Sequence, residues 1–255
     1  MPKVREGRCL PLSPARRMVL EILRHARKVP SLPLAQTMHF PALVAARQAA
    51  RPRPSWTAIF LRAYGLLSER HAALRRAYMP YPWPHLYEHP HSECAVLVER
   101  EWEGEDVVLG ARIRTPEQQS LVDIDRHLQR FREAPVASIS CFRQMVRFGR
   151  LPWFIRRFTF WHSLYLSGST RAQRFGTFVI SSLGNLGVEQ FHPLSPLTTY
   201  LTFGPISPGG EVTVKIIYDH RVLDGRTVAR CLNDLESILC RDIVAELQEH
   251  HRRAA

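Results

Sequence analysis

Acidic residues and lysine are both scarce in this 255-residue chain: 23 Asp and Glu stand against 35 Lys and Arg, and lysine occurs only at Lys3, Lys28 and Lys215. The formal charge of +12 is therefore carried almost entirely by arginine, whose planar guanidinium suits bidentate binding of phosphate or carboxylate. Nucleotide-bearing cofactors, acidic carrier proteins, anionic membranes and nucleic acid all fit such a charge, which alone selects none of them. No apolar run approaches the roughly 18 residues needed to span a bilayer, and residues 1–12 lack the hydrophobic core of a signal peptide. A cytoplasmic protein is expected. Cys9, Cys94, Cys141, Cys231 and Cys240 are scattered, odd in number and without a CxxC pair, which argues against a disulfide framework and a zinc site. There is no internal repeat and no linker long enough to divide the chain, so residues 1–255 are expected to form one domain.

What is present is a regular alternation of patterns. Met18, Val19, Ile22, Leu23 and Ala26 recur at helical spacing behind Ser13 as N-cap and Pro14 at the first helical position, predicting a helix over 13–27. A strand over 32–40 and a second helix over 56–78 follow. Residues 79–91, dense in Pro, Tyr and His, read as loop. Residues 94–100 and 107–113 read as paired strands across Gly104, and Pro116 opens a polar helix. Residues 175–182 and 198–203 look like buried strands. Val212, Val214, Ile216 and Tyr218 alternate strictly, and Val228, Cys231, Leu232, Leu235, Ile238 and Leu239 then trace one face of a closing helix, with a frayed tail over 248–255.

His220 stands where the alternating strand ends, and Asp224 where the closing helix begins. A strand end is rigid, the adjoining turn leaves an imidazole accessible, Asp224 can cap the helix or pair with an arginine, and Gly225 allows close backbone approach. From these residues alone a catalytic base and a plain turn histidine both remain open.

The segment Asp219-His220-Arg221-Val222-Leu223-Asp224-Gly225 resembles the HxxxDG signature of the catalytic domains of dihydrolipoyl acyltransferases from 2-oxoacid dehydrogenase complexes. Gly176-Thr177-Phe178-Val179-Ile180-Ser181-Ser182-Leu183-Gly184 is similar to that family's second signature, Leu10-Pro11-Leu12-Ser13-Pro14-Ala15-Arg16-Arg17 to its opening segment, and residues 55–76 to its long helix. The resemblance implies an α/β two-layer sandwich of the chloramphenicol acetyltransferase type, with a mixed sheet, covering helices and active sites between the subunits of a homotrimer. It further implies His220 as general base, Ser181 as oxyanion donor with Ser182 as the alternative if the register slips by one, and Asp224 in structural support through Arg16 or Arg17. The chemistry implied is acyl transfer between a thioester and a thiol or hydroxyl. A non-catalytic trimeric scaffold and a small-molecule O-acetyltransferase are the competing readings. Asn185 is explained by the turn it occupies, since asparagine tolerates the left-handed region.

Two departures qualify the resemblance. No lipoyl domain or lipoyl-lysine hairpin precedes Leu10, so no covalently attached lipoyl group is expected, and coenzyme A or an acyl-CoA is the expected substrate, a carrier-protein or separate lipoylated donor being the other option. Residues 142–174 form an atypical insertion in which Phe142, Phe148, Trp153, Phe154, Phe158, Phe160 and Trp161 alternate with Arg143, Arg147, Arg150, Arg156 and Arg157. This composition is that of a helical hairpin packed on the sheet, or of a segment making peripheral contact with an anionic membrane. His85, His89, His91 and Cys94 lack metal-ligand spacing, so no metal is expected; without a nucleic-acid motif beside the arginines, neither is nucleic acid.

Overall fold

The computed structural model describes residues 7–254. Ser13 accepts a hydrogen bond from the Arg16 amide at 3.1 Å and Pro14 starts the first turn, so the capping pattern sets the start of α1, Pro14–Ala26. β1, Ser31–His39, leads into α2, Pro41–Ala49, a helix too short for its periodicity to show in the sequence. α3, Trp56–Arg70, is capped by Ser55 and is shorter than the predicted 56–78. The chain leaves it at His71 through one 3-10 turn into β2, Arg76–Met79, which pairs antiparallel with β3, His85–Glu88. Residues 79–91 are thus in part a hairpin rather than wholly loop: Pro80, Pro82 and Pro84 fall in the connection, leaving the strand residues free to bond.

β4, Glu93–Trp102, and β5, Glu105–Arg114, pair as expected. The helix predicted from Pro116 starts later: Pro116 opens a single 3-10 turn, and Ser120 caps α4, Leu121–Glu133. Residues 140–175 form α5, Ser140–Gly149, α6, Trp153–Tyr165, and α7, Gly168–Phe175. Then come β6, Phe178–Ile180, β7, Thr199–Phe203, and β8, Glu211–Asp219. α8, Gly225–Ile238, continues through a wider turn into α9, Val244–Ala254, so the tail expected to fray is helical through Ala254. No helix among the described residues is long and apolar enough to cross a membrane.

The strands form one mixed sheet in the order β1-β8-β7-β6-β4-β5, parallel at β4–β6 and β6–β7 and antiparallel elsewhere. Because side chains alternate along a strand, Val96, Leu109, Ile180, Leu201, Val214 and Ile216 fall on one face, where they pack with Phe60, Tyr64, Val228 and Leu235 of α3 and α8 in the main core. Each such side chain contributes about 1.5–3 kcal/mol when fully buried. The opposite face carries Ala95, Val179, Tyr200 and Ile217 in a smaller cluster. Toward β5 this face is roofed by α1, α5 and α6, which share a third cluster of Met18, Phe160 and Leu164 with Met145 and Phe148 against them.

The arginine-aromatic segment therefore divides. Phe142, Phe148 and Phe160 pack inward, whereas Trp153, Phe154 and Phe158 are exposed. Arg156 is buried and its Nε lies 3.3 Å from Glu21 of α1, so a charge pair fastens α6 to the opening helix. Removing one partner of a buried pair leaves the other charge desolvated. Glu21→Ala is expected to lower unfolding stability by about 3 kcal/mol, read from denaturant titration; a loss well under 1 kcal/mol would show that water replaces the carboxylate.

Candidate active site

β8 ends at Asp219, and the chain reverses at once: the Val222 and Leu223 amides both donate to the Asp219 carbonyl. The His220 amide donates to Pro30 O at 3.0 Å, tying the turn to the strand-entry segment before β1. Asp219 is fully buried and accepts from the Arg221 guanidinium at 2.9 and 2.7 Å and from the Arg221 amide at 3.0 Å. Arg221 in turn lies over the Tyr78 ring at 4.6 Å. This fork holds the residues on either side of His220 while leaving its ring free to point outward.

The imidazole lies edge-on to Tyr218, with ring centroids 5.9 Å apart, and its Nδ1 is 3.0 Å from the Leu223 carbonyl. A carbonyl can only accept, so in the neutral ring Nδ1 carries the hydrogen and Nε2 keeps its lone pair. The side chain is 48% exposed, which leaves that lone pair accessible to a reacting group. Gly225 serves the same turn: a Cβ there would come within 3.3 Å of the Tyr218 hydroxyl.

Asp224 does neither of the things expected of it. It occupies the cap position of α8 without a side-chain cap bond, and its carboxylate, 86% exposed, lies 4.0 Å from His220 Nδ1. Arg16 lies 3.8 Å from Glu105, and Arg17 donates to Leu12 O at 3.1 Å. Neither reaches Asp224 within the chain, because α1 packs against α5 and β5 rather than beside the His220 turn.

Ser181 follows β6, with its amide bonded to Leu201 O at 3.2 Å, so it continues the ladder. Tyr200, paired with Val179, shares the sheet face of Ser181; its ionisation is pushed up by burial and pulled back by the nearby Ser181 hydroxyl. Ser182 is committed elsewhere: its hydroxyl donates to Phe203 O at 2.7 Å and accepts from the Gly184 amide at 3.1 Å. Of the two serines, Ser181 is the one with a hydroxyl not consumed by the turn. The left-handed residue of that turn is Gly187, at φ 74°, and not Asn185.

The sheet register separates the two groups. Ile180 pairs with Leu201, which sets Ser181 beside Thr202, and Thr202 pairs with Lys215; His220 lies further along β8 by the five residues after Lys215. With about 3.3 Å per residue and about 4.8 Å per strand, His220 and Ser181 of one chain are roughly 15–20 Å apart. Tyr200, the Asp219–Arg221 fork and the Leu223 carbonyl are site features that sequence reasoning missed; the alternation of 199–203 would have placed Tyr200 on the face of Ser181. His85 and His89 bond the backbone carbonyls of Trp83 and His91 at 2.7 Å each. Among the described residues no group of three or more His, Cys, Asp or Glu is placed to hold a metal ion.

No family model and no curated protein matches the chain. Solved structures do. The cubic core of the pyruvate dehydrogenase multienzyme complex superposes with a TM-score of 0.69 at 19% identity, over 96% of each chain. A dihydrolipoamide acetyltransferase of Azotobacter vinelandii, studied for a serine, a histidine and an asparagine in its catalytic mechanism, gives 0.69 at 20% identity, again over 96% of each chain. Chloramphenicol acetyltransferase gives 0.50 at 12% identity over 90% of this chain and 96% of that one. The chain has the fold these proteins share.

The hydrogen bond to Leu223 O makes a spectroscopic prediction. With the imidazole neutral, nitrogen NMR should find His220 protonated at Nδ1 and bare at Nε2; the opposite tautomer would remove the lone pair from the accessible side.

Proposed function

We propose that the chain is an acyltransferase that moves an acyl group from a thioester to a thiol or hydroxyl, using His220 of one copy and Ser181 of another. The observation that carries this reading is the Nδ1 bond to Leu223 O, which leaves an accessible Nε2 as a base at a rigid strand end on an acetyltransferase fold. A serine and a histidine are also the groups studied in the mechanism of the Azotobacter protein.

Nε2 takes the proton from the attacking thiol or hydroxyl as its sulfur or oxygen bonds to the thioester carbonyl carbon. The carbonyl oxygen becomes an oxyanion and accepts a hydrogen bond from the Ser181 hydroxyl. Collapse of the tetrahedral intermediate breaks the carbon–sulfur bond, and the departing thiolate recovers the proton from the imidazolium. Atoms and charge balance without a metal or a covalent enzyme intermediate.

The separation within one chain means that no single copy can bring both groups to one carbonyl. A threefold arrangement, in which each chain gives its His220 to one neighbour and its Ser181 to the other, completes three sites with one type of contact. The arginine excess is compatible with a donor carrying phosphates, as coenzyme A does.

With acetyl-CoA and a panel of thiol and hydroxyl acceptors, His220→Ala should lower kcat by about 10²–10⁴-fold. Ser181→Ala should lower kcat by about 10²–10³-fold with little change in KM. Turnover near that of the unaltered protein in a folded His220→Ala variant would overturn the mechanism, and an effect of Ser181→Ala confined to KM would make Ser181 a ground-state contact.

A further inference from the structure

The sheet face opposite the main core bears a cavity of about 740 Å³ that the chemistry above does not use. Its volume lies in the range of small-molecule sites, about 300–1,000 Å³. Strand register defines its floor. Arg112 pairs with Ala95, Ala95 with Val179, and Val179 with Tyr200, so these four stand in a row across β5, β4, β6 and β7. Gly110 and Leu97, one step along, extend the floor toward the level of Ser181. The roof is apolar, with Met18 of α1, Phe148 of α5 and Phe160 of α6.

Ser181 stands two residues beyond Val179 on the same face, and Val179 and its strand partner Tyr200 both line the cavity. Resting on the acyl-transfer reading, we propose that this cavity is the acyl-chain pocket and that the preferred acyl group is a medium-length hydrocarbon chain rather than acetyl. A thioester carbonyl held at Ser181 directs its alkyl chain over Val179, Ala95 and Leu97. The floor ends at Arg112, half-buried and near Glu93, two strands across and two residues along from Ser181, or roughly 12 Å. An extended chain advances about 1.2 Å per bond, so roughly ten bonds fill the floor before the chain meets a guanidinium.

Gly110 offers a direct test, because a Cβ built there has nothing within 4 Å and its backbone is ordinary strand. Gly110→Phe and the milder Gly110→Leu should fill the floor from the sheet side without disturbing the fold. Acetyl-, octanoyl- and palmitoyl-CoA would be titrated calorimetrically, without acceptor, against the slowed His220→Ala protein, with and without the Gly110 changes, and kcat/KM measured for the same thioesters with His220 intact. Buried methylenes strengthen binding by up to roughly fourfold each, so octanoyl-CoA should bind at least tenfold more tightly than acetyl-CoA. Gly110→Phe should erase that difference while leaving acetyl-CoA binding unchanged. Equal affinity for acetyl- and octanoyl-CoA, or a chain-length preference indifferent to both Gly110 variants, would overturn the pocket. Chain-length preference erased by Gly110→Phe in a protein that transfers no acyl group would keep the pocket and sink the acyltransferase reading; transfer without chain-length preference would do the reverse.

Discussion

The 3.0 Å contact between His220 Nδ1 and the Leu223 carbonyl is made within a turn of four residues, and it exists because β8 stops abruptly. Asp219, buried and clamped by its own neighbour Arg221, holds the strand end; its carbonyl gathers the amides of Val222 and Leu223 and folds the chain back. The Leu223 carbonyl is thereby aimed at the imidazole, and α8 begins one residue after Asp224. A longer or looser connection would let the ring rotate, and either nitrogen could then carry the hydrogen. The direction of the base follows from the backbone, and the backbone follows from the fork at Asp219.

The sheet then decides what a base in that place can serve. β8 runs antiparallel to β7, and β7 parallel to β6, so the ends that carry His220 and Ser181 point in opposite directions. The same pleat that buries Ile180 and Leu201 in the main core turns Val179, Tyr200 and Ser181 to the opposite face. One face of the sheet is therefore the stabilising core, while the other presents a hydroxyl beside an apolar cavity. The proposed shared site and the proposed acyl pocket both draw on strand direction and alternation, before any individual contact is considered.

Much of this was legible in the sequence. Strict alternation from Val212 to Tyr218, followed by the helical period from Val228, located the turn that bears His220 because both patterns extend over enough residues to be unambiguous. Ser13 and Pro14 placed the first helix for the same reason: a cap is a local interaction. The short elements α2, β2 and β3 were missed, since four to nine residues broken by proline carry little periodic signal. The pairing of Asp224 with Arg16 or Arg17 was a long-range inference, and α1 instead delivers Arg16 to Glu105. No local pattern encodes which distant element a helix will lie against. The division of residues 142–174 into buried and exposed aromatics was equally hidden, because buried Arg156 depends on Glu21 in another helix.

The most direct measurement mixes the two damaged chains. His220→Ala and Ser181→Ala proteins, each nearly inactive alone, would be co-assembled in equal amounts and assayed for acyl transfer. Random threefold assembly with sites shared between neighbours restores roughly a quarter of normal activity, since about three-quarters of the trimers are mixed and every mixed trimer holds one site built from an intact His220 and an intact Ser181. Activity no greater than the sum of the two separate variants, in assemblies verified to contain both chains, would contradict a site shared between copies.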